Sequence, residues 1–295
     1  MGEIPIAQAF NEFKSVYMPA RNYAFRTRVE YSKDVGELVD FLVKRGVSIT
    51  GSISLSHLER YLAWLDEKGF AGATRKKKTV AIHTFFGFLT REGYISSDIS
   101  KALITPFAEQ SLPRILTRAE YTDLLAACAD NPRDKAIVTV FLQTGIKLSE
   151  LIRLKVSDVD IADQDGQITG QLRIEGGSGR KDRVLPLNQK ACAAIREYLP
   201  VRGGTNTNIL FLNRSGKALG SRGVQKTISK YMSKLGLHGF SVQTLRHTFA
   251  VQHLVKGTSL ETIRNVLGHK DIRTTESYIP LAKEIARKEL EENAL

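Results

Sequence analysis

A chain of 295 residues, 42% hydrophobic and 25% charged, has an ordinary globular composition and is long enough for two domains and a sizeable core. Its formal net charge of +12 favours a polyanionic partner, nucleic acid before a membrane surface, with charge that merely serves solubility as the plainer alternative. The two cysteines, Cys128 and Cys192, are far apart and outside any CxxC spacing, which argues against a disulfide framework or a zinc site and makes a reducing cytoplasm the simplest setting.

The opening "MGEIPIAQAFNEFK" has acids early and no long apolar run, so no secretory signal is expected. No window is apolar for long enough to span a bilayer, and the sequence reads as that of a cytosolic protein without a membrane partner. Residues 6 to about 105 carry helical periodicity. "AQAFNEFKSVYM" and "YSKDVGELVDFLVKRG" place apolar residues three and four apart, the second closing at Gly46. "SLSHLERYLAWLDEKG" repeats the pattern, with Ser56 and Glu59 at capping-box spacing and Gly69 after the last turn. "TRKKKTVAIHTFFGFLTREG" opens on the basic run Arg75, Lys76, Lys77, Lys78 and continues with an apolar edge at Phe85, Phe86 and Phe88. These segments predict a compact four-helix unit over residues 1–108. "ITPFAEQSLPRIL", with Pro106 and Pro113 and no periodicity, predicts a linker over 109–116.

The second domain, 117–295, starts at a capping box formed by Thr117 and Glu120. An apolar helix follows, opened by Pro132 and closed by Gly145. "ITGQLRIE" and "DRVLPL" alternate around "GGSG" and predict a hairpin between 168 and 187, and "NILFLN" suggests one short further strand. Helices then return, giving a mainly α chain whose second domain is mixed α/β, mostly helical, with a small antiparallel sheet.

Four stretches carry residues with chemistry. In "TLRHTFAVQHL", Gln243, Arg246 and His247 share a helix face, and an arginine beside Leu245 and Phe249 needs an anion, a carboxylate partner or a phosphate. His253 has no metal-ligand spacing with His247, so no metal is expected. "TSLETIRNVLGHKDIRTTESY" has a helix-turn-helix outline, with Thr258 and Glu261 as cap and Gly268 at the turn. It also sets His269 nine positions before Tyr278, a tyrosine that is either core or nucleophile. "TGIKLSEL" presents Lys147 and Glu150 at a helix junction, where a surface ion pair is the bland reading. "GGSGRKDR" lacks P-loop spacing, which argues against nucleotide, while Arg180, Lys181 and Arg183 on a β-turn suit DNA-backbone contact.

The order and spacing of "LTRAEYTDLL", "TGIKLSEL", "SDVD", "GSGRKDRVLPL", "TLRHTFA" and "LGHKDIRTTESY" resemble the catalytic domain of the tyrosine recombinase and phage integrase family, closest to its Xer-type members. "GATRKKKTVAIHTFFGFL" resembles that family's helical, SAM-like core-binding domain, so the likeness covers nearly the whole chain. The resemblance implies a site-specific recombinase in which two domains clamp double-stranded DNA and Tyr278 forms a 3′-phosphotyrosyl link without metal, ATP or other cofactor. It implies that Arg246 is the second arginine of the site, His269 the later histidine and Glu150 the acidic residue that orients it. Three positions depart from the family pattern: Lys147 stands for the first arginine, Gln243 for the histidine three residues before Arg246, and Ser178 for the hairpin lysine, with Lys181 close enough to substitute. The family likeness further implies a nucleoid-associated protein that self-associates into a tetramer on DNA. Leu281, Ile285 and Leu290 of the tail "LAKEIARKELEENAL" would link protomers, with or without a second recombinase as partner, the alternative being that the tail folds back on its own domain. Two rivals use the same fold: a DNA-binding relative that occupies or regulates recombination sites without cutting, and a type IB topoisomerase.

Overall fold

The computed structural model describes residues 4–107, 112–165, 167–177, 181–203 and 207–292. The chain divides into two compact units, Met1–Ser111 and Leu112–Leu295. No helix among the described residues is long and apolar enough to cross a membrane.

The first unit is helical. α1 (Ile6–Glu12) runs through a π-helical turn, Phe13–Tyr17, into the single turn α2 (Met18–Ala20), and α3 (Phe25–Val43), α4 (Leu55–Glu67) and α5 (Gly72–Arg91) follow. Phe13, Leu38, Phe41, Tyr61, Leu65, Phe85 and Phe86 are buried together as its core. The cap of α4 lies two residues earlier than Ser56: Ser54 takes an extended backbone and its N–H donates to His57 Nδ1 at 3.1 Å.

The basic run at the start of α5 is not one solvated block. Lys78 is buried, one turn before Ile82 and two before Phe85, and its Nζ reaches Asp34 Oδ1 at 3.1 Å and Glu37 Oε1 at 3.0 Å on α3. A cation enclosed among apolar side chains needs such partners. The expectation that Lys78 grips phosphate is therefore corrected: it is a core ion pair. Lys77 bonds to Glu30 and lies 3.4 Å from Asp34, and Arg75 pairs with Asp66 at 3.0 Å. Lys76 is exposed.

The second unit begins with α6 (Arg118–Ala127), capped by Thr117 and Glu120 as the spacing predicts, and α7 (Pro132–Thr144). The one-turn helix α8 (Leu148–Leu151) leads into a three-stranded antiparallel sheet of β1 (Val159–Gln164), β2 (Gln167–Ile174) and β3 (Arg183–Leu187), in that spatial order. The hairpin of β2 and β3 has the expected place, with Ile174 opposite Arg183 and Gly170 opposite Leu187. β1 is an addition the alternation did not disclose, because only Val159 and Ile161 keep an apolar phase before Asp163 breaks it, and Asp is disfavoured in strands. "NILFLN" joins only isolated bridges, Lys155 with Ile209 and Leu212 with Ala218, rather than forming a strand of the sheet.

α9 (Gln189–Tyr198), α10 (Ser221–Lys234), α11 (Val242–Val255), α12 (Leu260–Leu267), α13 (Arg273–Glu276) and α14 (Ile279–Glu292) complete the unit. Ser259, not Thr258, caps α12, accepting from Thr262 N at 3.2 Å. The helix-turn-helix outline fails on length, since α13 has four residues and offers no recognition helix to a groove. Leu281 and Ile285 pack on a small cluster built from Phe249, Val251, Ile263, Leu267 and Tyr278. The tail's apolar face is thus largely used within its own unit, and of the three residues expected to reach a neighbour only Leu290 stays exposed.

Candidate active site

The site forms where α7, α11 and α12 end or cross. α7 stops at Gly145, whose φ of +61° turns the chain sharply, and a Cβ there would lie 2.4 Å from Phe249 Cδ1 and 2.8 Å from Leu267 Cδ2. Glycine is required for the close approach as well as for the turn. The freed carbonyl of Gly145 accepts from Arg246 Nη1, and Arg246 Nη2 donates to Leu267 O at 2.7 Å. Arg246 is 2% exposed, and these two backbone carbonyls are among the acceptors that meet its guanidinium.

The C-terminus of α12 gathers three cations. Its last carbonyls have no helical N–H to accept from and carry the negative end of the helix dipole. Val266 O accepts from Arg183 Nε at 2.8 Å, Leu267 O from Arg246, and Gly268 O from Lys147 Nζ at 3.0 Å. Lys147 also caps α8, its backbone N–H donating to Glu150 Oε2 at 2.8 Å. Glu150 is buried and takes both terminal nitrogens of Arg183, at 3.0 and 2.8 Å. Burial pushes the Glu150 carboxyl up, but the Arg183 bonds and the Lys147 N–H outweigh it and hold the pKa below the usual value. The side chains of Lys147 and Glu150 therefore do not make the simple surface pair their spacing suggested.

Arg183 is a second correction. It sits at the start of β3, in phase with buried Leu185 and Leu187, and its guanidinium is committed to Glu150 and Val266 rather than displayed on a turn. Lys181 is exposed, Gln243 is exposed in the first turn of α11, and Ser178 and Arg180 lie outside the described residues.

Arg246 Nη2 is 2.9 Å from His269 Nε2, and His269 Nδ1 is 2.8 Å from Thr275 Oγ1. A guanidinium only donates, so Nε2 accepts, and Nδ1 carries the proton and donates to Thr275. Tyr278 is 3% exposed, its ring 6.5 Å from that of His269 with the planes 23° apart. The nearest imidazole to its hydroxyl is a different one: His247 Nδ1 lies 2.9 Å from Tyr278 Oη. Burial raises the Tyr278 pKa while Arg246 pulls it down; burial lowers that of His247, and Arg246 lowers it further. Both groups are therefore neutral near pH 7, a phenol against an imidazole.

The structure thus brings Lys147, Glu150, Arg246, His269 and Tyr278 into one connected network, together with Arg183, which the sequence placed elsewhere, His247, which it set on the face of Arg246 without a role, and Thr275, which it did not single out. The signal for His247 was present: it follows Arg246 directly, on the face already noted for its polar residues. Chemically, a phenol beside an imidazole and a buried arginine suits nucleophilic attack on a phosphoryl centre, with cations in place for the developing oxyanion.

Comparison with known proteins gives a consistent result. Residues 114–284 match the phage integrase family and residues 10–93 its N-terminal SAM-like domain. Tyrosine recombinase XerC of Roseiflexus castenholzii is 33% identical over 276 residues, covering 90% of this chain and 86% of the relative. Among solved structures, XerH site-specific recombinase bound to palindromic difH substrate in a post-cleavage complex aligns with a TM-score of 0.74 at 20% identity, over 95% of this chain and 83% of that one. A lambda integrase tetramer bound to a Holliday junction aligns with a TM-score of 0.72 at 18% identity, over 91% and 78%. At those identities the two structures share the fold.

Proposed function

The chain belongs to the phage integrase family, and from that premise we propose that Tyr278 is the nucleophile with which it cuts DNA. The protein is a tyrosine-type site-specific DNA recombinase. In the proposed reaction Tyr278 Oη attacks a backbone phosphorus, forms a 3′-phosphotyrosyl link and releases a 5′-hydroxyl. The hydroxyl of a second strand then reverses the step, so bond energy is conserved. Arg246 and Lys147 hold the phosphate oxygens, and His269, fixed by Thr275 and Arg246, adds a third polar contact. Glu150 orients the site by pinning Arg183 and the start of α8. Lys181, three residues after Ser178 in the sequence, is the candidate donor to the leaving 5′-oxygen, and Gln243 a further phosphate contact.

The observation that carries this reading is the burial of Tyr278 with its hydroxyl on an imidazole, next to the buried Arg246–His269 pair. Double-stranded DNA is the partner, with Lys76 and Arg180 as backbone contacts, residues 1–108 as the core-binding domain and 117–295 as the catalytic one. Self-association on DNA, up to a tetramer and with or without a second recombinase, would use the exposed end of α14 around Leu290. Two buried thiols outside any disulfide, Cys128 and Cys192, fit a reducing cytoplasm, and binding DNA would place the protein on the nucleoid.

The test is covalent trapping. A nicked suicide duplex carrying a site selected from random-sequence DNA is incubated with the protein and resolved on a denaturing gel. An adduct that Tyr278→Phe abolishes supports the reading; sequence-specific binding with no adduct overturns it in favour of a non-cutting relative.

A further inference from the structure

The proton on Tyr278 has to leave when Oη bonds to phosphorus. A phenol near its ordinary pKa of 10 is ionised to only about one part in a thousand at neutral pH, and burial raises that pKa. An acceptor within hydrogen-bond reach is therefore needed. Three side chains in or near the network deserve comparison as that acceptor. His269 has both ring nitrogens engaged, Nε2 by Arg246 and Nδ1 by Thr275, and its ring lies 6.5 Å from the phenol ring. Gln243 has no basic lone pair to offer. His247 faces the phenol directly, with Nδ1 2.9 Å from Oη and ring centroids 5.4 Å apart.

The backbone makes this contact a fixed one. His247 stands mid-helix in α11, between buried Arg246 and buried Thr248, and α14 packs on α11 through Phe249, Tyr278 and Ala282. The residue that positions the phosphate and the residue that meets the nucleophile are thus consecutive on one rigid element.

We propose that His247 is the proton acceptor for Tyr278, which deepens the reading of Tyr278 as nucleophile and rests on it. As the Oη–P bond forms and the P–O5′ bond breaks, the phenolic proton passes to His247 Nδ1, and the departing 5′-oxygen takes a proton from Lys181, the candidate donor. In the reverse step the attacking 5′-hydroxyl gives its proton back to Lys181, and His247 returns its own to the departing Oη. The enzyme ends in its starting protonation state. The ionisable groups around His247 are Arg246 on its own helix, Tyr278 at the entry to α14 and, beyond the phenol, His269. Burial and Arg246 keep the imidazole neutral, and hence able to accept, down to pH values below its usual 6.5.

The experiment measures adduct formation on the nicked duplex with sulfur in place of the 5′-bridging oxygen, so that the leaving group needs no proton. Wild type, Tyr278→Phe, His247→Asn and His247→Ala are compared across pH. Asparagine keeps a hydrogen-bond acceptor near the Nδ1 position but takes no proton. The wild-type rate is expected to fall below pH 6.5 as His247 becomes protonated. His247→Asn should bind the duplex normally, cleave about 10²-fold more slowly and lack that acid limb. Added imidazole should restore part of the rate to His247→Ala. A wild-type profile with no acid limb, or histidine variants that cleave at the wild-type rate, would overturn the proposal while leaving Tyr278 as nucleophile. Absence of any wild-type adduct would instead sink the nucleophile reading on which it stands.

Discussion

Glu150→Gln isolates what one carboxylate does for this site. The substitution keeps shape and removes charge from a side chain in a residue 6% exposed that accepts from Arg183 Nη1 at 3.0 Å, Arg183 Nη2 at 2.8 Å and Lys147 N at 2.8 Å. It leaves the Arg183 side chain, only 15% exposed, without its counter-charge. Breaking such a pair costs about 3 kcal/mol, the lower end of the usual range because Arg183 keeps some contact with water. For a unit of this size that lowers the melting temperature by roughly 6–12 °C. The sign with pH follows from the depressed carboxyl: its stabilisation is fully present above the unfolded pKa and is lost as pH falls through the lower folded one. Thermal melts of both proteins should therefore differ most near neutrality and converge on acidification below the usual carboxylate value. Adding Arg183→Met to Glu150→Gln should cost less than the sum of the two single changes, since the double variant strands no charge. Equal melting temperatures at pH 7, or a gap that does not narrow in acid, would refute the reasoning.

Gly145→Ala places a Cβ 2.4 Å from Phe249 Cδ1 at a φ of +61°, so a loss of about 2–4 kcal/mol is expected in urea unfolding. Adduct formation should slow as well, because the same turn presents the carbonyl that holds Arg246. Thr275→Val keeps the volume of a fully buried side chain but removes the partner of His269 Nδ1, with an expected cost of about 1 kcal/mol and slower cleavage at unchanged DNA affinity. Lys78→Met removes the buried cation shared by Asp34 and Glu37, leaving Asp34 with Lys77 at 3.4 Å and Glu37 with the Tyr61 hydroxyl, and should lower the melting temperature of the first unit, whereas Lys76→Ala should leave melting unchanged. If Lys76 neutralises one phosphate, its loss should reduce the slope of log affinity against log salt by about 0.9. A Lys76 variant with wild-type salt dependence would remove it from the interface.

Local signals carried much of the fold. The helices of the first unit follow three-and-four periodicity, the Thr117–Glu120 box opens α6, and Gly145 ends α7 as read. Caps slipped where hydroxyls crowd: "SISLS" and "GTSLE" each offer alternatives, and the backbone chose Ser54 over Ser56 and Ser259 over Thr258. The order of the motifs gave the candidate nucleophile and its buried arginine. What no local pattern contains is the pairing of His247 with Tyr278, 31 residues apart, or of Arg183 with Glu150, 33 apart. Those contacts exist only once α11 meets α14 and β3 meets α8.

The two charges that were misplaced share one cause, and it was readable. Lys78 and Arg183 each stand in a basic cluster of the sequence, but phase against the apolar face divides each cluster. Lys78 is in helical register with Ile82, Phe85 and Leu89, and Arg183 in strand register with Leu185 and Leu187, so both turn inward and find carboxylates. Lys76, out of phase, stays in solvent, and so does Lys181, which precedes the first residue of β3. Arg246 obeys the same rule, in register with Val242, Phe249 and Ala250, and its guanidinium donates to the carbonyls of Gly145 and Leu267 at the ends of α7 and α12. A neutral carbonyl holds a guanidinium in place without cancelling its charge, so these two bonds aim the cation and leave its attraction for a phosphate intact.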